Sequence, residues 1–167
     1  TSPIDGSSQR DQIWVLIDIS ERLEAESSIA RLSFYDPVTE LPNRRLSLDR
    51  LRRALIRQQS HGLPLAVFYM EIHRADLSQG LVKPDEVDRL LAECARRLAA
   101  CVSDGYMLAR IDGERFALGG EIKSRDLAEG IKFCEALANR LIAALAPAPG
   151  KEVSFPCSLN IGINILR

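Results

Sequence analysis

The residues of this chain that are best placed to do chemistry lie in the short segment Arg110–Phe116. Within it, Asp112-Gly113 separates two short apolar runs, and an Asp-Gly pair in that setting is among the strongest local signals for a β-hairpin. Glu114 and Arg115 follow the pair directly. The sequence therefore predicts a hairpin that offers a carboxylate and a guanidinium to a ligand at one edge of a sheet.

Apolar periodicity predicts the elements that hold this hairpin, in the order α-β-α-β-β-α-β. A first helix ends within residues 58–62, and the continuous apolar run 65–70 predicts a central strand that is buried on both faces. A second helix starts near Asp85, a third spans Leu127 to Leu145, and a final strand lies within residues 153–166. The fold class is therefore α+β, with helices on a mainly antiparallel sheet. The residues expected on the apolar helix faces are Leu48, Leu51 and Leu55, then Val87, Leu91, Cys94, Leu98 and Cys101, then Leu127, Ile131, Cys134, Ala138, Leu141 and Leu145.

The composition is that of one ordinary domain. Its 167 residues, 46% hydrophobic and 27% charged, can bury a core without metals or disulfides. A net charge of −1 excludes the broad basic surface that nucleic-acid binding requires. No apolar run reaches about 18 residues and no signal peptide is visible, so we expect a cytoplasmic segment without membrane contact. The four cysteines show no metal-binding spacing and fit a reducing compartment, three of them as core residues of helices.

Residues 1–34 form a separate unit in the sequence. A polar start leads into the strand-like run 13–17, and Asp18 or Ser20 can cap a charged helix from residue 21 to about Phe34. A strand that passes in this way into a charged helix resembles the C-terminal edge of a PAS sensor domain and its signalling linker. Because the start has no Met, we expect the chain to be a segment of a longer protein.

Five blocks of the remaining sequence resemble, in order and spacing, the GGDEF family, the diguanylate cyclases. The blocks are Asp36–Arg45, Met70–His73, the helix around Asp88, Arg110–Phe116 and Leu159–Ile163. The first stands for Asp-x-Leu-Thr-Gly-Leu-Pro-Asn-Arg, with Glu40 in place of the glycine. The fourth stands for the signature Gly-Gly-Asp/Glu-Glu-Phe, in the altered form Asp-Gly-Glu-Arg-Phe. The resemblance assigns residues 35–167 to a GGDEF-like domain without the family's last helix, and it implies a palm-like (ferredoxin or nucleotidyl-cyclase-like) sheet.

The chemistry that this resemblance implies is phosphoryl transfer between two GTP molecules, one on each of two facing domains, to give cyclic-di-GMP. Mg²⁺ neutralises the charge that builds up on the phosphates, and it needs hard carboxylate oxygens from adjacent strands. By matching position, the metal ligands are Glu71, Ile72 and Glu114, the nucleotide-binding residues are Gln79, Asp88, Asp112 and Gly113, and the catalytic positions are Glu114 and Arg115. Structural alternatives stay open, with Glu71 and Glu114 as solvated strand-end acids and Asp88 as an acid in the first turn of a helix.

Departures from the family pattern fall on these same positions. Arg115 replaces a glutamate that helps to bind the metal, and a cation there repels Mg²⁺ or pairs with Glu71 or Glu114 in its place. Asp112 replaces a glycine that lets the backbone approach the phosphates, so it adds bulk and negative charge. Gln79 stands where an asparagine reads the base edge.

Two further contacts are expected close to the hairpin. Asp36 is predicted to pair with Arg110 across the turn that Asn43 and Arg44 organise. His73 ends a strand, where a polar contact is expected in preference to a role as metal ligand.

These features favour a catalytically degenerate GGDEF domain of a multidomain bacterial cyclic-di-GMP signalling protein. We expect a regulatory or GTP-binding role, a PAS-type domain before it, a phosphodiesterase (EAL) domain after it, and a capacity to form homodimers. Two alternatives remain. One is a low-activity diguanylate cyclase that uses Glu71 and Glu114 with Mg²⁺, and the other is a nucleotide-free spacer or dimerisation module.

Overall fold

The computed structural model describes residues 31, 33–74, 83–146 and 157–167. The element order of these residues is the predicted one: α1 (Arg44–His61), β1 (Leu65–His73), α2 (Pro84–Ala100), β2 (Tyr106–Asp112), β3 (Arg115–Glu121), α3 (Leu127–Leu145) and β4 (Ser158–Leu166). Arg31, Ser33 and Phe34 are helical, as expected for the end of the linker helix. The PAS-type strand, most of that linker, Gln79 and residues 153–156 of the predicted last strand lie outside the described residues.

The four strands form one antiparallel sheet in the order β2-β3-β1-β4. The prediction of an α+β, palm-like fold with a mainly antiparallel sheet is thereby confirmed. β1 occupies a central position, and its register places Glu71 opposite Arg115 on β3 and opposite Asn160 on β4. β4 lies at the edge, and its outer side pairs with no strand in the described part of the chain.

The core lies between one face of this sheet and the helices α2 and α3. Alternate residues of β1, including Phe68 and Met70, point to that face and are fully buried, because side chains of a strand alternate between its two faces. Phe116 and Leu118 continue the same face on β3. α1 contacts β2 and β3 on its own side. The hairpin strands are thus held by packing, which leaves the hairpin end free to carry polar groups.

Several burial predictions were wrong. β1 is central, but it is not buried on both faces, since the Tyr69 side chain keeps 48% of its surface exposed. Leu48, Leu127 and Ile131 are also exposed. In α3 the buried residues begin at Gly130, which lies beside Ile122, and continue through Cys134 and Leu137, so the buried face does not include Leu127 or Ile131.

Helix ends follow the local sequence. The Asn43 side chain accepts a hydrogen bond from the Leu46 N–H at the start of α1, and Asp126 accepts one from the Ala128 N–H at the start of α3. Gly62 ends α1 in a left-handed conformation with φ of 67°, which glycine adopts without strain. No helix that the structure describes is long and apolar enough to cross a bilayer.

Glu40 has a φ of 57°, the only left-handed residue other than glycine among those described. We expect Glu40→Gly to stabilise the fold by about 0.5–1 kcal/mol, because it removes a left-handed strain of about 1–2 kcal/mol and adds glycine's backbone entropy cost. The exposed ion pair of Glu40 with Arg31, at 2.8 Å, contributes little to this balance. Urea unfolding measures the difference.

The matched control for Glu40 is Gly62→Ala, which is expected to act in the opposite direction. No atom lies within 4 Å of the added Cβ, so only the left-handed backbone penalises alanine, by about 1 kcal/mol. Equal effects of the two variants in the same direction would show that backbone strain does not govern either position.

Candidate functional site

The hairpin between β2 and β3 closes through two residues, Gly113 and Glu114. The sequence placed the turn at Asp112-Gly113, one residue too early. The reason is a β-bulge between Arg110 and Asp112, which shifts the register so that Asp112 ends β2 opposite Arg115. Gly113 has a φ of 37°, so the glycine serves the first central position of the turn.

The hairpin end lies against the end of β1. The Ile72 N–H donates a hydrogen bond to the Glu114 carbonyl oxygen at 3.0 Å, and Glu71 stands opposite Arg115 in the register. Ile72 itself is buried, with its side chain in the core. The structure therefore brings together Glu71, Ile72 and Glu114, the three residues that the sequence predicted as a metal site.

Arg115 is the centre of an ion-pair cluster at this place. Its Nε lies 3.2 Å from Glu71 Oε1 and its Nη1 lies 3.5 Å from Asp112 Oδ1. The second oxygen of Glu71 lies 3.2 Å from His73 Nε2. The hydrogen bond to Glu71 is the largest of the effects that raise the pKa of Arg115 above its ordinary value. Arg115 is thus a permanent cation that pairs with Glu71, one of its two predicted partners.

This cluster does not fit the Mg²⁺ that the resemblance implies. Both carboxylate oxygens of Glu71 already face a nitrogen, and Mg²⁺ requires carboxylate oxygens in near-octahedral geometry at about 2.1 Å. Among the residues that the structure describes, no group of three or more His, Cys, Asp or Glu side chains could hold a metal ion.

A second arginine fixes the hairpin from its other side. Arg110 Nη1 donates to both oxygens of Asp36, at 3.0 and 3.1 Å, so the predicted pairing of these residues is confirmed. The Nε of Arg110 also donates to the Gly113 carbonyl oxygen at 3.0 Å. Only 13% of the Arg110 side chain and 18% of the Asp36 side chain are exposed. One guanidinium therefore joins the turn that begins at Asp36 to the signature hairpin.

Asp36 is held as an anion by its neighbours. Burial pushes its pKa upward, but hydrogen bonds from the Thr39 hydroxyl and Thr39 N–H, each 2.8 Å long, and from Arg110 outweigh burial. The net effect is a pKa below the ordinary value.

The turn that carries Asp36 is also bonded to what precedes and follows it. Asn43 donates from its side chain to the Ser33 carbonyl oxygen at 3.0 Å and from its backbone N–H to the Phe34 carbonyl oxygen at 2.9 Å. The Arg110 N–H donates to the Pro42 carbonyl oxygen at 3.0 Å. The helical residues before the domain are thus linked through the turn to β2.

The predicted nucleotide-binding residues are not all part of this cluster. Asp112 is exposed and lies beside Arg115, and Gly113 is exposed in the turn. Asp88 is exposed in the second turn of α2, whose first-turn acids are Asp85 and Glu86, so the alternative role of Asp88 as a first-turn acid was wrong. Its role in base recognition stays a prediction. Gln79 lies outside the described residues.

The polar contact expected for His73 is confirmed, since His73 contacts Glu71. Sequence reasoning missed that Tyr69, Glu71 and His73, as alternate residues of β1, share the open face of the sheet. Alternation at steps of two is the signal that could have found them.

A cavity of about 710 Å³ lies elsewhere, between α1 and the strands β2 and β3. It is lined by Arg50, Arg53 and Arg57 on one side and by Met107 and Glu121 on the other, among other residues. None of the residues that the sequence predicted for the site lines it, so the volume of this cavity says nothing about the hairpin.

Residues 33–167 match the family described as "Diguanylate cyclase, GGDEF domain". The chain belongs to the GGDEF family. Among curated relatives of this GGDEF domain, signaling protein YkoW of Bacillus subtilis is 29% identical over 98% of the chain and 20% of its own length. The bifunctional diguanylate cyclase/cyclic di-GMP phosphodiesterase MucR of Pseudomonas aeruginosa is 29% identical over 87% of the chain and 22% of its own length. The chain thus spans about a fifth of the length of these relatives.

Solved structures agree with this assignment. The GGDEF-only structure of TpbB from Pseudomonas aeruginosa covers 78% of the chain and 74% of its own, at 29% identity and a TM-score of 0.63. The GGDEF domain therefore has the nucleotidyl-cyclase palm as its fold, and GGDEF domains are nucleotidyl cyclases that generally use Mg²⁺ with GTP.

Proposed function

We propose that this GGDEF domain is catalytically degenerate and serves a regulatory role in a cyclic-di-GMP signalling protein. The observation that carries the proposal is the ion pair of Arg115 with Glu71, 3.2 Å long, at the end of β1. In the family pattern a glutamate occupies the position of Arg115. A cyclase needs that place for a metal, and here a guanidinium fills it.

The positive charge of Arg115 is the physical argument against a cyclase reaction at this hairpin. A divalent ion close to Arg115 meets repulsion, which for two unit charges about 4 Å apart amounts to about 1 kcal/mol in water and about 4 kcal/mol near a protein surface. Without the metal, a triphosphate meets the carboxylates of Glu71 and Asp112 and an arginine that is already paired with both. We therefore expect no productive geometry for two nucleotides and only weak nucleotide binding.

The wider protein context follows from the relatives. We propose a cytoplasmic signalling protein in which this domain acts on its neighbours through weak GTP binding, dimer geometry or relay of a signal. A phosphodiesterase (EAL) partner domain is supported by MucR, whose name joins a cyclase with a cyclic di-GMP phosphodiesterase. The upstream PAS-type domain stays a proposal that rests on the sequence of residues 13–34.

Incubation of the full-length protein with GTP and Mg²⁺, followed by chromatography, tests the loss of cyclase activity. We expect no cyclic-di-GMP, while diguanylate cyclase TpbB in the same buffer serves as the positive control. Formation of the cyclic product at a rate within about tenfold of the control would overturn the proposal.

A low-activity cyclase is a second candidate, and one contact favours it. The hydrogen bond from the Ile72 N–H to the Glu114 carbonyl keeps the two candidate acids at one end of the sheet. Slow but Mg²⁺-dependent turnover that disappears in Glu114→Gln would support this candidate. A nucleotide-free spacer is separated by calorimetry of the full-length protein with GTP and Mg²⁺, because saturable heat excludes a spacer and silence up to millimolar GTP excludes a nucleotide-binding role.

A further inference from the structure

Two thiols lie side by side where α2, α3 and β4 meet, in a part of the fold that the proposed function does not use. The Sγ atoms of Cys94 and Cys157 are 3.9 Å apart, although 63 positions separate the two residues in the chain. Cys94 lies within α2, and Cys157 directly precedes β4. The Sγ of Cys157 also lies 3.9 Å from the Leu145 carbonyl oxygen at the end of α3.

We propose that Cys94 and Cys157 form a site of reversible oxidative modification that closes to a disulfide when the protein meets a peroxide. A disulfide bond is about 2 Å long, so the sulfur atoms must approach by about 2 Å from the distance at which they now stand. Both residues are free thiols. Intracellular disulfides of this kind are usually transient and redox-sensing.

The two thiols differ in their access to solvent, and this difference gives them different roles in the reaction. Cys94 is 2% exposed and belongs to the core cluster, whereas Cys157 is half-buried. Burial, and next the neighbouring Cys157, raise the pKa of the Cys94 thiol to about 12. A peroxide therefore reaches Cys157 first, and Cys94 acts as the resolving thiol by proximity.

The reaction balances with one molecule of hydrogen peroxide. The Cys157 thiol loses its proton, the thiolate attacks a peroxide oxygen, and the O–O bond breaks to give a sulfenic acid and a hydroxide, which takes up that proton as the first water. The Cys94 sulfur then attacks the Cys157 sulfur, the S–O bond breaks, and the S–S bond forms while the Cys94 proton leaves with the second water. The thiol pair loses two electrons and two protons, and the peroxide becomes two waters. A dithiol reverses the change.

The bond would tie α2 to the residue that directly precedes the edge strand β4. Ser158 and Asn160 of β4 stand opposite His73 and Glu71 of β1, so the cross-link would hold the sheet next to the Arg115 cluster. Oxidation is therefore placed to restrict movement at the proposed regulatory site.

Cys101 supplies a matched control. It is half-buried like Cys157, and its Sγ also lies 3.9 Å from a helix carbonyl, that of Arg140. The Sγ of Cys101 thus contacts an oxygen atom and not a second sulfur atom. If exposure alone determined reactivity, the peroxide would oxidise Cys101 and Cys157 alike. If the neighbouring thiol matters, a disulfide forms only at Cys157.

The test uses the full-length protein treated with hydrogen peroxide, then alkylated and mapped by mass spectrometry without reduction. We expect a cross-linked peptide pair that contains Cys94 and Cys157, lost with dithiothreitol, absent in Cys157→Ser and Cys94→Ala, and unchanged in Cys101→Ser. Oxidised wild-type protein should also melt at a higher temperature than reduced protein, with no such difference in Cys157→Ser.

Three outcomes overturn the inference. The first is an alkylated Cys94 together with a sulfinic acid at Cys157, the second is a disulfide of Cys157 with another thiol, and the third is alkylation of both Cys94 and Cys157 while Cys101 is oxidised. The mapping of wild-type protein decides among these even if the Cys94 variant does not fold.

Discussion

Replacement of Arg115 by glutamate is expected to raise the affinity of the hairpin for Mg²⁺ or Mn²⁺ roughly a hundredfold. The substitution removes the guanidinium that lies 3.2 Å from Glu71 Oε1 and puts a carboxylate in its place beside Glu71. A change of about 3 kcal/mol, between the limits for water and for a protein surface, corresponds to that factor. Isothermal calorimetry of the full-length protein with each metal measures it.

Arg53→Glu is the control for the charge change. Arg53 lies on α1 and pairs with Asp49 at 3.0 Å, so it undergoes the same reversal of charge beside a single acid. Arg115→Gln separates loss of the cation from gain of an acid and should give an intermediate affinity. If Arg53→Glu gains as much metal affinity as Arg115→Glu, the position next to Glu71 is not responsible. Tight metal binding by the unaltered protein would contradict the proposed function itself.

The second large effect is expected at the pair of Asp36 and Arg110. A double-mutant cycle with Asp36→Asn and Arg110→Gln should give a coupling of about 2 kcal/mol in the free energy of unfolding, since either single change leaves a largely buried partner unpaired. Both oxygens of Asp36 accept from one guanidinium nitrogen at 3.0 and 3.1 Å. Urea unfolding of the four proteins provides the measurement.

The pair of Glu93 and Arg97 on α2 is the matched control. Their atoms are closer, at 2.7 Å, but the side chains are 29% and 38% exposed, compared with 18% and 13% for Asp36 and Arg110. An exposed pair at this helical spacing is expected to couple by less than about 0.5 kcal/mol. Equal coupling in the two cycles would mean that burial does not strengthen the Asp36 pair.

The same pair predicts how the free energy of unfolding changes at acidic pH. Because the folded-state pKa of Asp36 lies below its ordinary value of 3.8, Asp36 contributes stability above that value and loses it as the pH falls through the folded-state pKa. Stability of Asp36→Asn should therefore fall less steeply below about pH 4 than that of the unaltered protein. The two proteins should show parallel pH dependence above about pH 5.

Sequence was enough to predict the fold, the pair of Asp36 with Arg110 and, as one of two alternatives, the pair of Glu71 with Arg115. The bounds of α3 and the partner of Arg110 follow from periodicity and from the order of the blocks. The turn was displaced by one residue because a β-bulge has no signature in local periodicity. The choice of Glu71 as the partner of His73 depends on how Glu71 orients its two carboxylate oxygens between Arg115 and His73. Sequence spacing alone does not determine this orientation.

Burial was harder to predict than element type. Leu127 and Ile131 have the spacing of a core stripe, yet the helix turns Gly130 to Ile122 in their place. The packing partner decides the rotation of a helix, and it lies far away in sequence. The roles of Glu71, Glu114 and Asp88 toward metal and nucleotide stay predictions, and the experiments above address them.

The position of β4 has a consequence for anyone who handles this domain in isolation. The nine residues of β4 include no proline, no lysine and no other charged residue. Natural proteins commonly place such residues on edge strands to prevent pairing with other chains. No strand in the described part of the chain covers the outer side of β4, so its amide and carbonyl groups there can accept an extended peptide by strand addition. If concentrated samples self-associate, pairing of two β4 edge strands should be considered first, before the association is interpreted as the dimer that a cyclase needs.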